Sequence, residues 1–264
     1  MTKERYIRNG IQTTLIDLSD QLSNRTSPYE INQHHIKYLD HSVAVSQAKK
    51  LLGDHEFFPN KEGWATEEVT LSSHSGTHVD APYHYGSLSE GRPAKTIDQI
   101  PLQWCYGDGV LLDFCHKGIG EGIDEQDIKS ELNRIGYDLN PFDIVLIHTG
   151  ASKLFGTPGY ANKQPGLVRS AVQFLVSQGV KLIGIDAWGL DRPFDRMAEE
   201  SISGKGQFWE AHLFGREKEY CQIERLCNLE EIPKPFGFTV QAFPVKIEGA
   251  SAGWSRVVAI LEEK

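Results

Sequence analysis

Apolar and polar positions along the chain fall into a few distinct patterns. Residues 67–73, EEVTLSS, alternate and are β-branched, so they predict a strand running into a histidine-rich segment. GVLLDF (109–114), DIVLIHTG (143–150) and VKLIGIDA (180–187) are continuous apolar runs, the pattern of strands covered on both faces. TTLIDLS (13–19) predicts a first strand, and polar, irregular sequence follows it through about residue 50. Two helices are predicted. One covers 124–136, with Asp124 as N-cap, Asp127 three residues on and Gly136 as its stop; the other covers 165–179, opened by Pro165 and closed by Gly179. FGFTVQAFPVKIEG and WSRVVAIL near the end predict two further strands. Strand–helix–strand units with extra β structure give an α/β class with a mixed sheet. With no repeat and no linker-like stretch, residues 1–264 read as one domain.

Composition narrows the partners. The net charge is −9 and no Lys/Arg cluster stands out, which argues against nucleic acid or an anionic membrane. No apolar run reaches the ~18 residues a membrane helix needs. The start, MTKERYIRNG, is too polar for a signal peptide, so the expected location is the cytoplasm. Cys105, Cys115, Cys221 and Cys227 lack metal or redox spacing and read as reduced structural thiols. No GxSxG elbow, GxGxxG or P-loop is present, so neither a serine nucleophile nor nucleotide chemistry is indicated.

The chemistry concentrates in LSSHSGTHVDAPYHYGS (71–87), where His74, His78, Asp80 and His84 fall within one short segment. In extended chain His78 and Asp80, two apart, point the same way. His74 joins them only if the backbone curls at Ser75–Gly76, which a glycine permits at low steric cost. Two imidazoles and a carboxylate are a common ligand set for Zn²⁺, Mn²⁺ or Fe²⁺ that leaves positions open for water.

These residues resemble the H-x-G-T-H-x-D-x-P-x-H signature of the metal-dependent cyclase family, which includes bacterial kynurenine formamidase, isatin hydrolase and trans-dienelactone hydrolase. Every fixed position is present from His74 to His84. The likeness continues through YGSLSEGRPAKTIDQIPLQWCYGDGVLLDF, IDAWGLDRP, AHLFGREKEYCQIERLCNLEEI and FPVKIEGASAGWSRVVAI, whereas the first 65 residues match poorly apart from LIDLS. The resemblance implies a swivelling β/β/α-type fold and a homo-oligomer, dimer or tetramer. It implies His74, His78 and Asp80 as metal ligands and His84 as proton donor and acceptor. It also implies that His212 and Glu224, a histidine and a glutamate twelve residues apart, complete the site. The formamidase holds two zinc ions and isatin hydrolase one manganese, so the cofactor is expected to be Zn or Mn, one or two per chain. His34, His35, His41, His55, His116 and His148 match no motif and read as solvated or structural.

Such a site would supply hydroxide at neutral pH and polarise a carbonyl, with His84 shuttling the proton; a ligand role for His84 is the competing assignment. The expected function is hydrolysis of an amide or ester of a small aromatic or cyclic substrate. Phe57, Phe58 and Trp64 before the motif, Tyr83 and Tyr85 within it, and Trp188 after the strand LIGID are candidates to stack on such a ring or to form core. The formamidase branch departs at DAWGLD, which turns the expectation toward ring opening of a cyclic amide such as isatin, with arylformamide or dienelactone hydrolysis as alternatives. A non-catalytic metal-bound binding protein is the reading from a different class; it would not require His84.

Overall fold

The computed structural model describes residues 2–263. Ten strands form one mixed sheet. From one edge they run Lys3–Arg8, Ile11–Asp17, Val258–Glu263, Phe238–Gln241, Tyr106–Asp113, Ile144–His148, Leu182–Ile185, Cys221–Glu224, His78–Asp80 and Ala252–Trp254. The four from Tyr106–Asp113 to Cys221–Glu224 are parallel, and every other pairing is antiparallel.

The apolar runs sit at the middle because both their faces are covered. Val110, Leu112, Val145, Ile147, Ile183 and Ile185 pack with Ile128, Leu132, Ala171, Val172 and Leu175 of the helices Glu125–Ile135 and Arg169–Ser177. Their neighbours in sequence, Ile144, Leu146 and Leu182, join a second cluster with Ile16, Leu18, Val240, Ala259 and Leu261. The two-residue period of a strand thus feeds two cores from one run of residues. Among the described residues no helix is long and apolar enough to cross a membrane.

Several expectations hold and several shift. The helix Glu125–Ile135 has the expected Asp124 cap, reciprocated by Asp127, and ends on Gly136 in the left-handed region (φ 70°). The helix expected from Pro165 instead starts at Arg169, because Gly166–Leu167 first pairs as a short parallel strand with Gly122–Ile123. The stretch expected to be irregular through about residue 50 contains a strand, His35–Leu39, and a helix, His41–Leu52. That helix buries only Ala44 and Ala48, so it carries almost no apolar stripe to read. It is set by its start, where Asp40 accepts the N–H groups of Ser42 and Val43. The strand predicted over 67–73 is Thr66–Thr70, and it pairs with His35–Leu39 rather than joining the large sheet. The closing segment yields three strands, not two, since Trp254 ends Ala252–Trp254 before Val258–Glu263 begins.

Candidate metal centre and substrate cavity

The short strand His78–Asp80 lies between two antiparallel neighbours, with Glu224 directly opposite His78 on one side and Ala252 opposite Asp80 on the other. Cross-strand register is therefore what brings Glu224 beside a histidine far away in sequence. Gly76, with φ +62°, makes the curl that returns His74 to the same place. His84 follows on the helical turn Pro82–Tyr85, and His212 arrives on the helix Glu210–Phe214.

These residues converge around one carboxylate. Asp80 Oδ1 lies 2.8 Å from His74 Nδ1 and 3.2 Å from His78 Nε2, and Oδ2 lies 3.9 Å from His212 Nε2. Glu224 places Oε2 3.6 Å from His78 Nε2 and Oε1 3.6 Å from His212 Nε2. Ligand atoms of His74, His78 and Asp80 form one group close enough to share a cation, and those of Asp80, His84 and His212 form another. Asp80 and His78 are completely buried, yet both carboxylate oxygens and His78 Nε2 lack a hydrogen-bond partner of acceptable geometry. A buried carboxylate left so is costly without a counter-charge. The donor set fits a divalent cation.

Each imidazole is aimed by its far nitrogen. His78 Nδ1 meets the Gly76 carbonyl at 2.8 Å, His74 Nε2 meets the Ser251 hydroxyl at 2.9 Å, and His212 Nδ1 meets Asp191 Oδ2 at 2.5 Å. Asp191 also accepts the backbone N–H groups of Ala211 and His212. Its own loop is pinned by Gln164, which donates to the Gly189 and Asp191 carbonyls and accepts from the Trp188 N–H. Asp191, Gln164 and Ser251 were not among the expected site residues. The signal for Asp191 was its place in IDAWGLDRP, a segment of the resemblance.

Electrostatics follow from packing charges without water. Burial alone would raise the Asp80 carboxyl; the surrounding His84, His78 and His74 imidazoles reverse this and hold it well below the usual carboxylate range. Burial, reinforced by the Asp80 charge, raises Glu224. Burial would lower His78 and His212, but Asp80 beside the first and Asp191 beside the second raise both. His84 has no such rescue. Burial, opposed by Asp80 but helped by three neighbouring imidazoles, lowers it to about 4.

A cavity of about 210 Å³ opens beside these groups. His74, His78, His84, His212 and Glu224 line it, and Trp188, Phe194 and Trp209 form its aromatic wall. Trp209 stacks on His212 at 4.1 Å and meets His84 edge-on at 5.3 Å. Of the expected aromatics, Trp188 reaches the cavity, whereas Phe57, Phe58 and Trp64 do not line it. They lie on the connection between the paired strands His35–Leu39 and Thr66–Thr70, where Phe58 packs on Trp64. Tyr85 is core, stacked on Tyr220, and Tyr83 is exposed. Among the unassigned histidines, His34 and His41 hold backbone carbonyls of Ser23 and Gly63. His148 gathers with Asp113 and Cys115 outside the cavity, where burial and Asp113 push the Cys115 thiol up to about 12, away from the thiolate a metal takes.

Sequence comparison gives this arrangement its relatives. The profile of the family described as Putative cyclase matches residues 16–192, well over half of the chain. The chain belongs to the cyclase family. Kynurenine formamidase of Bacillus thuringiensis (strain Al Hakam) is 29% identical over 151 residues, covering 52% of this chain and 62% of that protein. This chain therefore spans less than two thirds of that relative's length. Kynurenine formamidase of Erythrobacter litoralis is 29% identical over 195 residues, covering 74% of this chain and 76% of its own. Among cyclase-like folds of known structure, isatin hydrolase A from Ralstonia solanacearum superposes with a TM-score of 0.75 at 20% identity, covering 94% of this chain and 92% of that one. An isatin hydrolase bound to thioisatinate gives 0.73 at 19% identity, covering 95% and 93%. These likenesses fix the mixed α/β fold.

Proposed function

We propose that this cyclase-family member is a metal-dependent hydrolase that attacks an amide or ester of a small aromatic substrate with water. The observation that carries this reading is the buried Asp80 carboxylate, without hydrogen-bond partners, ringed by His74, His78, His84 and His212 at the end of an open cavity. His74, His78 and Asp80 would hold one divalent cation, and His212 and Glu224 would complete a second position. When bound, such a cation lowers the pKa of water toward ~7 and polarises a carbonyl.

The chain's own residues account for the remaining steps. Trp188, Phe194 and Trp209 line the cavity and would offer aromatic faces and edges to a planar ring. Burial lowers the pKa of His84, so near pH 7 it is in the neutral form that can accept the attacking water's proton. It would then return that proton to the departing nitrogen or oxygen. Asp191 keeps the Nε2 of His212 turned to the site by holding its Nδ1.

For the substrate we favour a neutral cyclic amide such as isatin. The only guanidinium or ammonium groups lining the cavity among the described residues are those of Arg192 and Arg225, and both are already paired with carboxylates. An arylformamide such as N-formylkynurenine is the second reading, favoured by the formamidase names of the curated relatives. Metal-loaded protein assayed on isatin, N-formylkynurenine and a dienelactone tests the choice. Turnover of isatin that chelation abolishes and Zn²⁺ or Mn²⁺ restores is expected. Full turnover by stripped protein would refute metal dependence, and exclusive turnover of N-formylkynurenine would establish the second reading.

A further inference from the structure

One wall of the cavity comes from outside the strands that bear the metal candidates. Glu30, Ile31 and Asn32 supply it, just after the helical turn Ser27–Tyr29. Glu30 places both carboxylate oxygens against Nη1 of Arg225, the residue that follows Glu224. Both partners are buried, Glu30 at 8% exposure and Arg225 at 5%. The arginine end is fixed. Its backbone N–H donates to the Ala187 carbonyl at 2.9 Å, and its carbonyl accepts the Thr77 hydroxyl at 2.6 Å. Its guanidinium lies 5.3 Å from the Trp188 ring centroid, and its Nε has no partner.

The second cation on the wall is cancelled in the same way. Arg192 Nη2 sits 2.7 Å from Glu200 and 3.4 Å from Glu210. An anionic substituent lodged against this wall would lose its hydration and meet no unpaired guanidinium, an unfavourable exchange.

We propose that Glu30 is a specificity-determining residue: by neutralising Arg225 it makes the cavity select uncharged aromatic substrates over anionic ones. The same ion pair fastens the segment around Glu30 as the cavity's outer wall. This inference rests on the hydrolase reading above. Breaking one side of a buried ion pair leaves an uncompensated charge, whereas replacing both sides with neutral groups is often tolerated. Removing Glu30 alone therefore turns Arg225 into an anion receptor, a task its planar fork of donors suits.

The test compares isatin with isatin-5-sulfonate on metal-loaded wild type, Glu30→Gln, Arg225→Gln and the double variant Glu30→Gln/Arg225→Met. Both kcat/KM and the Kd from quenching of tryptophan fluorescence are read. Glu30→Gln should shift the sulfonate-to-isatin ratio toward the sulfonate by about tenfold or more, mainly through KM and Kd, the scale of an exposed partner in a buried pair. Arg225→Gln, which leaves Glu30 unpaired, should move the ratio the other way, so a misfolded single variant does not decide the matter. The double variant should return near the wild-type ratio. Ratios within about twofold of wild type in the folded single variants would overturn the proposal; Asp20, whose carboxyl feels Arg225, would then be its counter-charge. A wild type that binds both compounds with these charge preferences but turns over neither defeats the hydrolase reading and leaves the selection by Glu30 standing.

Discussion

At the scale of single residues, the proposed hydrolase gives His74, His78, Asp80, His212 and Glu224 the task of holding a cation and His84 that of moving a proton. His84→Ala should leave metal content nearly unchanged while kcat falls by ~10²–10⁴, the usual share of general acid–base catalysis. Metal lost in proportion to activity would make His84 a ligand instead, a role its placement beside Asp80 and His212 keeps in play. Its low pKa also has a stability consequence with a definite sign. Between its ordinary value near 6.5 and about 4, the unfolded chain takes up a proton that the folded chain refuses. Folding of chelated protein should therefore lose the His84 contribution as pH falls through that window. His84→Gln, which cannot titrate, should gain stability relative to wild type from pH 7 to pH 4 in denaturant melts; a constant difference contradicts the assignment. Asp191→Asn should weaken metal binding by ~10–100-fold, the usual effect of losing the partner that aims a ligand. An unchanged affinity in a metal titration would show that the helix Glu210–Phe214 aims His212 unaided. The motif residues were legible because they sit in one segment with fixed spacing. Glu30 and Trp209 were not, since each is brought in by tertiary contact rather than by a local pattern, and Asp191 was marked only by its place in IDAWGLDRP.

At the scale of elements, the site is a consequence of strand register. Gln222 and Glu224 face Asp80 and His78 across one ladder, and Ala252 and Trp254 face them across the other. A two-residue period on His78–Asp80 then points both side chains one way while Val79 enters the core. The buried strands were readable in sequence because burial on both faces leaves an unbroken apolar run. The helix His41–Leu52 and the strand His35–Leu39 were not, because their residues mostly face solvent, whereas the partner strand Thr66–Thr70 was readable from its alternation. The helix starting at Arg169 was misplaced by a short strand that only pairing with Gly122–Ile123 defines. That short strand also carries a constraint. A Cβ on Gly166 would fall 2.2 Å from the Asp191 backbone. Gly166→Ala should therefore displace the Asp191 loop, lowering the melting temperature and weakening metal binding together. A loss of stability with metal affinity intact would mean that the loop yields without moving His212.

At the scale of the whole molecule, the candidate metal site lies at the antiparallel edge of the sheet, where the folded chain gathers two buried carboxylates, Asp80 and Glu224, among four imidazoles. Asp80, the centre of this charge, has no hydrogen-bond partner on either oxygen. A cation that binds only the folded state should raise its stability by about 2.7 kcal/mol at a hundredfold excess over Kd. The melting temperature should accordingly climb with added Zn²⁺ or Mn²⁺ and fall on chelation. The most direct measurement of the central claim is a calorimetric titration of Zn²⁺ into chelator-stripped protein, run in parallel with Asp80→Ala. Saturable binding of one or two ions per chain, lost in Asp80→Ala, is the predicted result. A wild type that binds no ion, or a variant that binds as the wild type does, would contradict a metal centre built on Asp80.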